Sequence, residues 1–422
     1  MEVVHKKEEN SETVKENTEQ VVNEVTTEPN AQVDNSPEQP KTVSIADIIE
    51  KVEKNNFTVY FYCPPLNVPS GGIEVLFRYA KNLHETGVNT CIIYEPREDK
   101  KASYLESQKH RKAISVYEPF KPDWLGEEYK DVRLKALCEK EIQFSDGTKK
   151  PKDVLNINPE DFLIIPEGFP NIMESTATVP CKRIIFAQSW YYILNGLQIG
   201  QKWQNFNVRD VISISDGITE YLNAVMPGLS IKRGYNSINR NIFKNENNIA
   251  KKVPIVAFMA GRSMDAQVRT INVIKTFYAF FPQFKWIRFV ELKNLSKEEF
   301  SERLAEAAFV LYTDEIAGFG TLPLEAMANG THVIGWAPLG GKEYMHEKNG
   351  FWTTNGDIFK LAEMLGFAIE KYLTNQLDTP EVFEEYEKTL SNYTIEKEKE
   401  QLNNIFNEYK SERVSELKKL KQ

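Results

Sequence analysis

The residues best suited to chemistry gather between positions 314 and 343. Gly318-Phe319-Gly320 is followed by Thr321-Leu322-Pro323-Leu324 and then a single carboxylate, Glu325. Pro323 suits the first turn of a helix, where its missing N–H costs nothing, and Gly330 suits a left-handed stop. Glu325 is therefore expected on a short helix. Glycines ahead of such a helix leave bare backbone N–H groups at its N-terminus, where the dipole favours an anion. Glu325 could accept two hydrogen bonds from a diol such as a ribose; standing alone, it would equally serve as a partner of the helix dipole. Gly340-Gly341 and Glu343 follow the next strand-like run and point to the same sheet edge.

Two earlier turns repeat the pattern. Ser70-Gly71-Gly72 follows a strand-like run and opens a helical one, so its amides could approach a phosphate or a substrate. A plain tight turn is the alternative. Gly261-Arg262 ends another strand-like run. An arginine there faces the crevice where open α/β sheets bind ligands, and its planar guanidinium suits a diphosphate. A surface arginine near a helix start is the alternative. The histidines show no metal spacing, and no hydrolase elbow is present.

The elements that must position these groups alternate. Residues 57–63 read as a strand, and the following helix places Ile73, Leu76, Phe77, Ala80 and Leu83 on one face. Residues 89–96 read as a second strand. This strand, glycine loop, helix, strand order is the parallel unit of a doubly wound sheet. Further strands are expected at 161–167, 181–188 and 210–216. A second series begins near residue 253, with strands at 253–261, 285–292 and 309–313 and a buried strand from Thr331 to Trp336. Its first helix, 267–281, is expected to align Ile271, Ile274, Phe277, Tyr278 and Phe281. Ser296 and Glu299 form a capping box for the next helix. From about residue 357 the pattern is helical.

Composition narrows the partners. Of 422 residues, the first 50 hold 12 acids and 4 bases, which leaves 49 acids against 48 bases in the body. The body lacks the basic excess of a duplex-binding surface. Residues 1–42, rich in Glu, Asn, Thr and Pro, are expected to be a disordered acidic tail, available to bind a protein partner. No apolar run approaches the length of a membrane span, and the N-terminus has no signal-peptide pattern. Cys63, Cys91, Cys138 and Cys181 are scattered, which fits a reducing compartment rather than a disulfide framework. The expected location is cytoplasmic. The basic C-terminal end offers contact with anionic lipid as a lesser alternative to a solvated helix end.

Four segments, in order, resemble the retaining glycosyltransferases of the GT-B fold, family four type ("glycosyl transferases group 1"). They are "SGGIEVLFRYAKNLHETGVNT", "YNSINRNIF", "VAFMAGRS" and "AGFGTLPLEAMANGTHVIGWAPLGGKEYM". The last is similar to that family's "EGFGLPxLEAMAxGxPVIGxxxGGxxE" pattern. With "NYTIEKEKEQLNNIFNEY", the likeness spans residues 57 to 410. It implies two Rossmann-like doubly wound domains facing a cleft. The expected division is a tail (1–42), an acceptor-side domain (43–245), a donor domain (246–390) and a C-terminal helix (391–422) returning to the acceptor-side domain.

The resemblance also implies roles. Glu325 would bind the ribose of a nucleotide-diphosphate sugar, the amides around Gly318, Phe319 and Gly320 would reach its sugar and phosphate, and Arg262 would neutralise the departing diphosphate. Gly71 and Gly72 would close the pocket from the other domain, with Gly340 and Gly341 completing the donor side. No bound cofactor and no metal are implied. The sequence departs from the family at three places. The first of two glutamates falls on Ala317, leaving Asp314 or Glu315 as nearby carboxylates. The expected lysine is Gln267, leaving Arg269 as the nearest cation. The family's N-terminal-domain histidine near the reacting sugar has no match, and Gln188 is the candidate for its place.

The acceptor stays open among a glycan, a lipid-linked sugar, a protein and a modified base. Trp190, Tyr191 and Tyr192 suit stacking on a sugar or base as well as core packing. Two other readings compete with an active transferase. One is a degenerate GT-B partner or scaffold subunit; the other is a sugar-nucleotide epimerase, which would call for paired acids and a histidine.

Overall fold

A computed structural model describes residues 44–64, 70–94, 97–98, 117–118, 122, 124–136, 142–143, 149–150, 155–245, 252–261 and 263–421. The acidic tail, Arg262 and Cys138 lie outside these residues. Ser44 to Gln422 forms one compact unit.

The first sheet has seven parallel strands: β1 (Thr58–Tyr62), β2 (Asn89–Tyr94), β3 (Leu134–Ala136), β4 (Phe162–Pro166), β5 (Lys182–Ala187), β6 (Asp210–Ser213) and β7 (Ser230–Arg233). Their order is β7-β6-β5-β4-β1-β2-β3. The chain winds outward from β1 to β3, then returns to the other side of β1 with β4. This reversal makes the carboxyl ends of β1 and β4 the natural ligand crevice. Strands β4 and β5 are buried along their whole length; β4 reads as a continuous apolar run, and β5 does so from Ile184 on, after the buried Lys182 and Arg183, which pair with Glu416 and the Met173 carbonyl.

The second sheet is also parallel, with β8 (Val253–Phe258), β9 (Arg288–Glu291), β10 (Ala307–Tyr312), β11 (His332–Trp336) and β12 (Phe351–Thr353) in the order β9-β8-β10-β11-β12. Its reversal lies between β8 and β10. The expectation of two doubly wound parallel sheets holds. Three short edge strands, β3, β7 and β12, carry no clear apolar run and were not expected.

Helices follow the strands. α1 (Ile45–Glu53) starts on a Ser44 capping box, and α2 (Gly71–Glu85) buries Ile73, Leu76, Phe77, Ala80 and Leu83 as expected. The remainder are α3 (Pro170–Ser175), α4 (Asp216–Val225), α5 (Met264–Phe280), α6 (Lys297–Glu306), α7 (Thr321–Ala328), α8 (Ile358–Leu373), α9 (Pro380–Leu390) and α10 (Ile395–Leu420). Helix α6 carries the expected Ser296–Glu299 capping box.

Helix α5 corrects one expectation. Ile274 and Phe277 are buried, but Ile271 is 38% exposed and the inward positions are Thr270 and Val273. Apolar residues occur on nearly every side of this helix, so periodicity alone misplaces its buried stripe.

Helix α10 returns to the first sheet. Tyr409 donates its hydroxyl to the Val211 carbonyl at 3.1 Å, and Lys182 pairs with Glu416 at 2.7 Å. Glu398, fully buried, receives Arg78 Nε at 2.9 and 3.1 Å, Asn82 Nδ2 at 2.7 Å and the backbone N–H of Ser237 at 2.7 Å. One carboxylate thus ties α2, α10 and the segment after β7. Among the described residues, no helix is long and apolar enough to cross a membrane. Cys63, Cys91 and Cys181 are buried, unpaired thiols, and burial pushes Cys63 and Cys181 up to about 12. Such thiols are inert at neutral pH.

Candidate functional site

The carboxyl ends of both sheets meet around Gln188, the residue after β5. Its Nε2 donates to the Gly72 carbonyl at 3.1 Å. On the other side its backbone carbonyl lies against Gly318, where a Cβ would overlap the Gln188 oxygen. Ser189 Oγ donates to the Ile316 carbonyl at 3.3 Å. Gln188 therefore joins the glycine turn of the first sheet to that of the second. Its Oε1 is buried and has no hydrogen-bond partner among the described residues. A buried acceptor without a donor is costly, so Oε1 is available to a ligand hydroxyl.

The two glycine turns of the second sheet are packed on one another, and Gln188 links them to Gly72. A Cβ at Gly340 would overlap the carbonyls of Gly318 and Ala317, and one at Gly341 would crowd Met345 and the Phe319 carbonyl. Gly320, at φ 77°, caps α7 in a left-handed conformation that most side chains avoid. Phe319 is buried against Tyr344 and Tyr393, with ring centroids 5.4 Å from each, and Tyr344 donates its hydroxyl to the Gly320 carbonyl. Gly71 has open space around its Cα, with nothing within 4 Å of an added Cβ. Gly72, by contrast, lies in van der Waals contact with the Gln188 amide.

Glu325 lies on α7, as expected, partly covered. Burial of its carboxyl, reinforced by the nearby Glu74 carboxylate, pushes its pKa up to about 7; Lys297, the Thr321 side chain and Arg78 pull the other way. Glu74 comes from the first turn of α2 and pairs with Lys297 from the start of α6. Each of these helix starts follows a strand of its sheet, and both bring their charges close enough to act on Glu325.

The substitute charges behave differently. Arg269 Nε lies 3.2 Å from Glu315 Oε1, so these two compensate each other. Gln267 reaches the Gly261 carbonyl at 3.4 Å. Asp314 is exposed and receives the Ile316 N–H at 3.1 Å. Ala317 is buried and brings no charge to this loop. Glu343 receives the Asp216 N–H at 2.7 Å and pairs with Arg233, which commits it to joining α4 and β7 to the second sheet's loop.

Two groups were not legible as site residues. Glu167 follows β4, is buried, and accepts the Ser189 N–H at 2.8 Å; burial pushes its pKa up to about 7. It anchors the turn that carries Gln188. A carboxylate immediately after a fully apolar parallel strand was the available signal. Tyr312 ends β10 with a buried hydroxyl that has no partner among the described residues and lies against Gly320. No motif marks it. Among the described residues, no group of His, Cys, Asp and Glu is placed to hold a metal ion.

No family model matches the chain. Over 95 residues it is 28% identical to an α-1,6-glucosyltransferase of Actinobacillus pleuropneumoniae serotype 7, a match covering 22% of this chain and 29% of that protein. Solved structures resemble it over far more of its length. TarM of S. aureus matches with a TM-score of 0.56 and 11% identity, covering 83% of this chain and 99% of that one. A TarM variant has been solved with fondaparinux, α-GlcNAc-glycerol and UDP. The pneumococcal O-GlcNAc transferase GtfA, in complex with UDP and GlcNAc, matches at 0.55 and 10% identity over 83% and 99%. Sucrose-phosphate synthase from Thermosynechococcus elongatus matches at 0.55 and 12% identity over 84% and 99%.

Proposed function

This chain has the GT-B fold, and from that premise we propose that it transfers a sugar from a nucleotide-diphosphate sugar to an acceptor hydroxyl, with retention of anomeric configuration. The observation that carries the reading is the meeting of Gly72, Gln188 and Gly318 at the facing carboxyl edges of both sheets, with Glu325 nearby. In this reading residues 43–245 form the acceptor-side domain, 246–390 the donor domain and 391–422 a helix returning to the former.

The chemistry is a leaving-group problem. Charge builds on the diphosphate as the glycosidic bond breaks, and fixed donors at that place stabilise the transition state. The amides of Phe319 and Gly320 at the start of α7, with Arg262, supply those donors. Tyr312 adds a buried O–H beside Gly320. Glu325 accepts the ribose hydroxyls. The Gln188 Oε1 takes a hydroxyl of the transferred sugar, and Gly71 and Gly72 admit that sugar without steric conflict. Retention follows from same-face attack through an oxocarbenium-like state, which asks little of a protein nucleophile. The reaction needs no metal in this scheme.

A degenerate partner subunit is the second reading. Ala317 and the mutual compensation of Arg269 and Glu315 favour it, because both deplete free charge on the donor side.

A thermal-shift panel with UDP, GDP, ADP, TDP and CMP and their sugars separates the two. A ligand at about 100 times its Kd adds about 2.7 kcal/mol of stability. One nucleotide is expected to stabilise the wild type and to lose its effect in Glu325→Ala and Arg262→Ala. If no nucleotide binds, the transferase reading fails and the scaffold reading takes its place.

A further inference from the structure

Residues 187–201, Ala-Gln-Ser-Trp-Tyr-Tyr-Ile-Leu-Asn-Gly-Leu-Gln-Ile-Gly-Gln, contain no charged side chain, in a chain of which 27% is charged. The stretch leaves β5 at the carboxyl edge and begins with Gln188, so it is continuous with the site above. Its start is fixed on three sides: Ser189 N–H to Glu167 at 2.8 Å, Gln188 to Gly72 at 3.1 Å, and Ser189 Oγ to Ile316 at 3.3 Å. Ile193 is fully buried and pins the middle.

From this anchored base the large side chains turn outward. Tyr191 is 54% exposed, Tyr192 39% and Leu194 46%, and Ile199 is wholly exposed. Trp190 packs edge-on against Tyr191 at 6.0 Å and Tyr221 at 5.9 Å, and Tyr191 against Tyr192 at 5.2 Å. The Trp190 Nε1 is buried with no partner among the described residues. These tyrosines are not core. A rigid turn that leaves aromatic faces to water beside a cleft marks a binding surface.

The chemistry of the stretch selects the occupant. An acidic glycan or a phosphate-bearing nucleotide would meet no cation within it, and a lipid surface would call for flanking bases, of which only Lys202 follows. The C–H faces of a neutral sugar ring fit the exposed tyrosine faces, while the exposed Asn195 and Gln198 amides offer both donors and acceptors to its hydroxyls. We propose that residues 189–199 form the acceptor subsite and that it takes an uncharged saccharide stacked on Tyr191 and Tyr192. The word acceptor rests on the transferase reading; the saccharide site does not.

Saturation-transfer NMR on the full chain tests it, with maltotriose, cellotriose and chitotriose as neutral probes and tri-galacturonate as the acidic one. At least one neutral probe is expected to bind in the millimolar range, and a Tyr191→Ala/Tyr192→Ala variant to weaken it by about tenfold. The variant should keep the wild-type melting temperature and nucleotide response. Absence of binding by every neutral probe, preference for tri-galacturonate, or unchanged binding by a folded double variant overturns the proposal. Nucleotide binding without saccharide binding sinks this inference and spares the transferase. Tyrosine-dependent saccharide binding without any nucleotide response keeps the saccharide site and sinks the transferase.

Discussion

Replacing Glu325 with Gln should move stability and ligand binding in opposite directions. Burial raises the carboxyl from an ordinary 4.5 to about 7. The folded chain therefore holds a proton between those values that the unfolded chain has released. Folded stability falls as pH rises through that window and stays lowered above it. A rise of this size corresponds to about 3 kcal/mol, and because Glu325 is only partly covered, about 2 kcal/mol is expected. Glutamine mimics the protonated acid. Urea unfolding from about pH 5 to about pH 8.5 should show the two proteins converging at the acid end, with Glu325→Gln the more stable at the alkaline end. In the same variant the nucleotide-dependent thermal shift should shrink, because an amide oxygen accepts less strongly than a carboxylate. Parallel pH profiles would show that Glu325 is an ordinary solvated acid. A variant less stable than wild type at about pH 8 would show that its ionised form is already satisfied within the fold.

Arg78→Ala strands the buried Glu398 carboxylate and should cost about 3 to 5 kcal/mol in urea unfolding; a loss below about 1 kcal/mol would mean that Asn82 and Ser237 suffice. Gly318→Ala forces a methyl into the Gln188 carbonyl and should destabilise by about 1 to 3 kcal/mol. Gly71→Ala meets no neighbour and should melt within about 0.5 kcal/mol of wild type while weakening the response to a nucleotide sugar; equal melting of the two alanine variants would contradict the packed turns. Burial lowers Lys252 from 10.5 to about 7, so its contribution runs the other way. Above about pH 7 the unfolded chain keeps the proton that the folded chain has lost, and stability should rise with pH toward the lysine range. The alkaline rise should disappear in Lys252→Met when the two are compared by urea unfolding.

Much of this protein is written in short-range pattern. A fully buried parallel strand such as β4 has apolar neighbours on both faces and so reads as a continuous apolar run, as does β5 from Ile184 onward. Capping residues such as Ser296 and Glu299 act within one turn and need no tertiary partner. The short helix carrying Glu325 is likewise local, fixed by Gly320, Pro323 and Gly330. Short edge strands can escape because they need only one pairing neighbour and a half-covered face: Ser230–Arg233 and Phe351–Thr353 show no distinctive run, whereas the edge strand β9 was legible.

The sequence by itself determined two doubly wound sheets, the glycine turns at their carboxyl edges and the helix that carries Glu325, since each depends on residues close in the chain. Only the tertiary structure decided which of these turns touch. It brought Gly72, Gln188 and Gly318 together from three separate loops, buried Glu167 beneath Ser189, and set Glu74 and Lys297 close enough to act on Glu325. It also paired Arg269 with Glu315 and turned Tyr191 and Tyr192 outward. The physical reason is that a side chain's environment, and hence its charge state and availability, is set by atoms supplied from distant segments, of which a local pattern carries no record.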